Sequence, residues 1–121
     1  MKDGAVTDIG RLKQAKSYPT FKPLGPCLLT ADEVRGRDDL VLRTFVNGEL
    51  RQTANLSEMI FGLPAIIEGM SQRLTLQPGD VILTGTPAGI GSVTGRYLVA
   101  GDVVEVQIEG VGGIKNHVVG S

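Results

Sequence analysis

At 121 residues with 41% apolar side chains, the sequence is long enough for one domain with a modest core and too apolar for a disordered chain. Lysine and arginine number 12 against 13 aspartates and glutamates, a net charge of -1 without blocks of like sign, which argues against nucleic acid or an acidic membrane surface as a partner. A lone cysteine, Cys27, forbids an internal disulfide, no apolar run approaches the roughly 20 residues that cross a bilayer, and Met1 leads into Lys2-Asp3-Gly4, so the expected compartment is the cytoplasm.

Only 4% of residues are aromatic and there is no tryptophan, so the core must come from Val, Ile and Leu, while 17 glycines and 6 prolines supply many turns; a β-rich fold is expected. Residues 1–11 carry no sustained period and read as a lead-in, with the domain proper at 12–121. Between Lys16 and Pro26 three prolines and a glycine interrupt any helix, so this stretch reads as an ordered strap. Cys27-Leu28-Leu29-Thr30 reads as a short buried strand, with Cys27 as a small buried side chain, followed by a polar corner at residues 31–33 and a turn at 35–39.

Over residues 40–54, Leu42, Thr44 and Val46 alternate with Val41, Arg43 and Phe45, and Asn47-Gly48 then predicts a type I′ hairpin, because both turn positions tolerate positive φ. Ser57 is expected to cap a first helical turn, and Pro64 to stand near the start of a second helix reaching about Leu74, with Ile66, Ile67, Met70 and Leu74 as its apolar stripe. After the breaker Pro78-Gly79, Val81-Ile82-Leu83 reads as a buried strand running into Thr84-Gly85-Thr86-Pro87-Ala88-Gly89-Ile90-Gly91. Val104, Val106 and Ile108 alternate with Glu105, Gln107 and Glu109 in the next strand, and residues 110–113 turn the chain into a last strand at 114–119.

The glycine-rich loop holds two hydroxyls, Thr84 and Thr86, and reads from the residues either as a cradle for an anionic group or as a tight turn. A nucleoside triphosphate is disfavoured, since no lysine follows Gly91. His117, the single histidine, has no nucleophile-elbow serine to serve and reads as an ordinary strand residue. Asp32-Glu33 and Asp38-Asp39 fall in turn-like segments and make poor metal ligands. Lys16, just before the Pro19 constraint, could hold an ammonium close to Thr20 and a bound anion, or could be a solvated surface lysine.

Taken together, Lys16-Ser17-Tyr18-Pro19-Thr20-Phe21-Lys22-Pro23-Leu24-Gly25-Pro26, Val46-Asn47-Gly48-Glu49-Leu50-Arg51-Gln52 and residues 79–91 closely resemble the C-terminal half of the fumarylacetoacetate hydrolase family, over about residues 12–119. The resemblance implies an α+β, mostly β fold: a rolled mixed β-sheet domain with one or two short helices, here truncated at its N-terminal side, and dimeric or otherwise self-associating. It implies a metal-dependent hydrolase, isomerase or decarboxylase acting on 2-oxo acids or 1,3-dicarbonyl compounds, with Mg2+ or Mn2+ chelated by the substrate. Lys16 matches the family's catalytic lysine, Thr20 the hydroxyl beside it, and Thr86 with the backbone at Gly85 the group that binds the substrate carboxylate.

The family's metal ligands, a Glu-x-Glu pair and a later Asp upstream of the lysine, have no counterpart here; Asp8, eight positions before Lys16, is a poor substitute. Two expectations therefore stand side by side: a metal-dependent enzyme on oxo acids, or a truncated non-catalytic domain of the same family that lacks the metal site.

Overall fold

Asn47 and Gly48 take the left-handed conformations that a tight hairpin needs, φ 52° and 80°, and reverse the chain between β1 (Val41–Val46) and β2 (Glu49–Asn55). The hairpin is part of a computed structural model that describes residues 16–34 and 40–120; the lead-in 1–11, Asp8 and the expected turn at 35–39 lie outside the described residues. Around the hairpin the chain is α+β and mostly β. A four-residue α1 (Ala31–Val34) precedes it, a 3-10 turn (Leu56–Glu58) and α2 (Leu63–Ser71) follow it, and the short α3 (Gly91–Thr94) leads to β3 (Val103–Ile108) and β4 (Gly112–His117).

The strands form one sheet in the order β2-β1-β3-β4, and each neighbouring pair is antiparallel. Leu42, Thr44 and Val46 stand opposite Ile108, Val106 and Val104, so the alternation read from the two sequences becomes one shared apolar face. Ile114 of β4 extends that face beside Val106. The other face carries ion pairs beside Phe45: Arg43 meets Glu109 at 3.4 Å and Lys115 meets Glu105 at 2.9 Å. Exposed pairs of this kind add about 0–1 kcal/mol each, so apolar pairing and the hydrogen-bond ladder carry the sheet.

Asn47 also fastens the hairpin to β3. Its side-chain amide donates to Asp102 Oδ1 at 2.8 Å, its Oδ1 accepts from the Val103 amide at 2.9 Å, and its own N–H reaches the Val103 carbonyl at 2.9 Å. Asp102 accepts as well from the Val99 amide, at 2.9 Å. That backbone bond first, and the Asn47 contact second, hold the Asp102 carboxyl below its ordinary pKa.

Several local expectations need correcting. Asn55, not Ser57, caps the 3-10 turn: Asn55 Oδ1 accepts from the Ser57 amide while Glu58 reaches back to the Asn55 N–H, a reciprocal capping box. Pro64 does open α2, at its second position, but the helix ends at Ser71; Ile66 and Met70 are half-buried while Ile67 and Leu74 are exposed. The polar corner at 31–33 is helical, its start bonded through Thr30 to the Glu33 carboxylate.

Residues 27–30 and 81–83 do not form strands. Leu28 is 85% exposed and Leu83 68%, and Cys27 is exposed rather than buried, its thiol facing the Val111 carbonyl at 3.5 Å. Both runs have the composition of a strand, but among the described residues neither joins the ladder of the sheet, and the Thr30 carbonyl accepts instead from the Glu33 and Val34 amides. Val46, beside β3, is the one described hydrophobic side chain that is buried.

Candidate functional site

The β1–β2 pairing slips by one residue between Thr44 and Phe45: Thr44 opposes Gln52 while Phe45 opposes Leu50, which leaves Arg51 as the extra residue of a β-bulge. The bulge switches the strand's faces. Gln52 and Ala54 share the side of Thr44 and Leu42, and Leu50 moves to the side of Phe45.

On that strand the glycine-rich loop is seated. Gln52 Nε2 donates to Thr86 Oγ1 at 3.0 Å, to the Pro87 carbonyl at 3.1 Å and, more weakly, to the Ala88 carbonyl at 3.4 Å. Gly89, at φ 100°, lies against the bulge so closely that a Cβ there would collide with the Arg51 carbonyl oxygen and stand 3.1 Å from Gln52 Cγ. Among the described residues nothing stands within 4 Å of the same position at Gly85, so its backbone borders open space among them.

The far side of the loop is tied to the same strand. Arg96, two residues past α3, forms a two-point pair with Glu49: its Nη1 donates to Oε1 at 2.7 Å and its Nη2 to Oε2. The Arg96 hydrogen bond is the main cause that holds the Glu49 carboxyl below its ordinary pKa, and the Arg96 guanidinium is raised by the same bond. Arg51 approaches Glu49 at 3.6 Å, yet its buried Nε has no hydrogen-bond partner among the described residues. Two side chains of β2, Glu49 and Gln52, and the Arg51 carbonyl between them thus meet residues 86–96.

Lys16 and Thr20 lie on the strap. The Phe21 amide bonds back to the Tyr18 carbonyl at 3.2 Å, closing a turn with Pro19 and Thr20 at its centre, and the Tyr18 and Phe21 rings sit 5.5 Å apart. Thr20 adopts φ 69°, where a type II turn usually places glycine and a β-branched residue is strained by about 1–3 kcal/mol. Lys16 is exposed.

Thr86 and Gly85 therefore share one anchored loop, and Lys16 and Thr20 share one strap. His117 is exposed on β4, opposite Val103. Gln52 was not singled out from sequence as a site residue, although its motif was; the available signal was a polar residue at a position that alternation assigns to an apolar face.

A divalent cation needs a converging set of oxygen or nitrogen donors. Among the described residues no group of three His, Cys, Asp or Glu side chains comes together, so these residues do not make such a centre. No helix among them is long and apolar enough to cross a membrane.

Comparison with known proteins places these features in context. The sequence profile described as "Fumarylacetoacetate (FAA) hydrolase C-terminal" matches residues 5–119. The oxaloacetate tautomerase fahd2, mitochondrial, of Xenopus laevis is 45% identical over 106 residues, covering 86% of this chain and 33% of that protein. The 4-hydroxyphenylacetate degradation bifunctional isomerase/decarboxylase of Salmonella dublin is 43% identical over 106 residues, covering 88% of this chain and 24% of that protein. Among solved structures, maleylpyruvate hydrolase from Sphingobium sp. SYK-6, in complex with manganese (II) ion and pyruvate, superposes with a TM-score of 0.76 at 41% identity, over 84% of this chain and 37% of that one. The chain thus spans well under half the length of each of these relatives.

Proposed function

The chain belongs to the fumarylacetoacetate hydrolase family, and from that premise we propose that it supplies the carboxylate-binding wall and the lysine of a site for 2-oxo acids or 1,3-dicarbonyl compounds, in a hydrolase, isomerase or decarboxylase. The observation that carries this reading is the loop 84–91 fastened to β2, with Thr86 held by Gln52 and Gly85 bordering open space. Its relatives include a tautomerase, an isomerase/decarboxylase and a hydrolase. Tautomerisation, loss of carbon dioxide and carbon-carbon hydrolysis of such compounds all pass through an enolate next to a carboxylate. One binding wall can therefore serve all three.

In this reading the Thr86 hydroxyl and the N–H groups around Gly85 bind the carboxylate, and the Lys16 ammonium opposes the negative charge that grows on the enolate oxygen. Fixed donors of this kind lower a barrier by roughly 3 kcal/mol each. Thr20, in a strained turn four residues after the lysine, would add a second hydroxyl to the site beside that of Thr86. Because the described residues offer no set of metal ligands, no step is assigned to a metal.

Calorimetric titration of the chain with pyruvate, with and without Mn2+, tests the binding half of the proposal, and ultraviolet assay of oxaloacetate enol-keto exchange tests the chemical half. Binding that falls about tenfold in Thr86→Val, with turnover that falls at least about a hundredfold in Lys16→Met, is the expected result. No binding of pyruvate or oxalate under either condition would refute it. A second reading, a truncated non-catalytic domain of the family that lacks the metal site, accords with the lack of a donor set among the described residues; tight Mn2+-dependent binding of oxalate would contradict it.

A further inference from the structure

Thr86 can serve an anion only if its hydroxyl proton points toward that anion, and nothing in the loop's own sequence sets this direction. The neighbouring strand does. The carbonyl oxygens of Pro87 and Ala88 can only accept, so the Gln52 side chain must present its NH2 end to the loop, and that same NH2 faces Thr86 Oγ1 at 3.0 Å. With Oγ1 accepting from Gln52, the Thr86 proton is turned away from the strand and left to donate outward.

We infer that Gln52 is a positioning residue for the carboxylate site: it holds residues 86–88 on β2 and sets Thr86 as a hydrogen-bond donor. The inference rests on the reading above that this loop faces a carboxylate. The bulge makes the arrangement possible, because the extra residue Arg51 brings Gln52 to the face of Thr44 and exposes the carbonyl against which only a glycine at 89 fits. Bulge, glutamine and glycine act as one socket, and the donor direction is its product.

A purely structural staple and a donor-setting residue differ in how Gln52 couples to Thr86. The full chain carrying Gln52→Met, Thr86→Val or both is titrated with pyruvate, and the order of residues 85–89 is followed by 15N relaxation. Gln52→Met is expected to lower the loop order parameters from the rigid range to below about 0.6. Each single variant should weaken pyruvate roughly tenfold, the loss of a hydrogen bond to a charged group. The double variant should lose less than the two single losses together, because part of what Gln52 does runs through that hydroxyl.

Gln52→Glu, which keeps the shape, should lose affinity at neutral pH and regain it as its carboxyl is protonated and can donate again. Unchanged loop order in Gln52→Met overturns the inference, and so do losses that simply add in the double variant. If the wild-type chain binds no pyruvate, the carboxylate reading fails, and loop order alone then decides for or against Gln52.

Discussion

Val103–Ile108 and residues 81–83 are both short, valine- and isoleucine-containing runs, yet the first is a central strand and the second is an exposed connection. The difference lies in the neighbours. β3 has β1 on one side and β4 on the other, and Asn47 clamps its first residue, whereas residues 81–83 meet no backbone partner among the described residues. Hydrophobic pattern marks where a strand is possible; a second strand with free N–H and C=O groups makes it one. The glycine-rich loop shows a third outcome, since it gains its order from side chains of β2 rather than from a ladder.

The largest effect is expected where the loop has least room. Gly89→Ala should cost roughly 3 kcal/mol and release the loop, because a Cβ meets the Arg51 carbonyl, while Gly85→Ala, with φ 115° but open space, should cost about 1 kcal/mol. Denaturant unfolding of the two variants decides, and equal losses would break the idea of a socket on β2. Asn47→Ala should follow at about 2 kcal/mol, since it removes two side-chain bonds to the start of β3 along with a residue suited to the turn.

By contrast, Leu83→Ser should alter unfolding free energy by less than about 0.5 kcal/mol, as expected for an exposed side chain. The exposed side chains of Leu28, Val81 and Leu83 instead predict self-association of the chain. Sedimentation velocity should show it growing with concentration and weakening in Leu83→Ser; a monomer throughout would contradict it.

The smallest effect concerns pH. Glu49 is held below its ordinary value of 4.5, first by the Arg96 hydrogen bond, so the stabilisation is complete above 4.5 and is lost as pH falls from there through the lowered value. Arg96→Met should therefore unfold more easily at neutral pH and converge with the parent chain in acid. Parallel curves at every pH would remove the Glu49–Arg96 pair as a tie between residues 84–96 and β2.

Much of the sheet was legible because its signals are local. Asn47-Gly48 specifies a turn by φ alone, the alternation at 104–109 specifies two faces, and Pro64 can stand only near a helix start. The site was legible in pieces: Lys16, Thr20, Gly85 and Thr86 could be named as candidates, but the ties between them and the rest of the chain could not. Asn55 as the cap escaped notice because Ser57, two residues on, is an equally good capping type, and only the Glu58 return bond separates them.

By itself the sequence determined the family, the hairpin and the two faces of the sheet, since each depends on residue type and spacing over a few positions. Tertiary structure alone decided that residues 27–30 and 81–83 stay outside the described sheet, that the bulge falls at Arg51, and that Gln52 meets Thr86 across 34 positions of chain. The physical reason is that strand formation and hydroxyl direction both depend on a partner, and a partner distant in sequence leaves no mark on the residues it will meet.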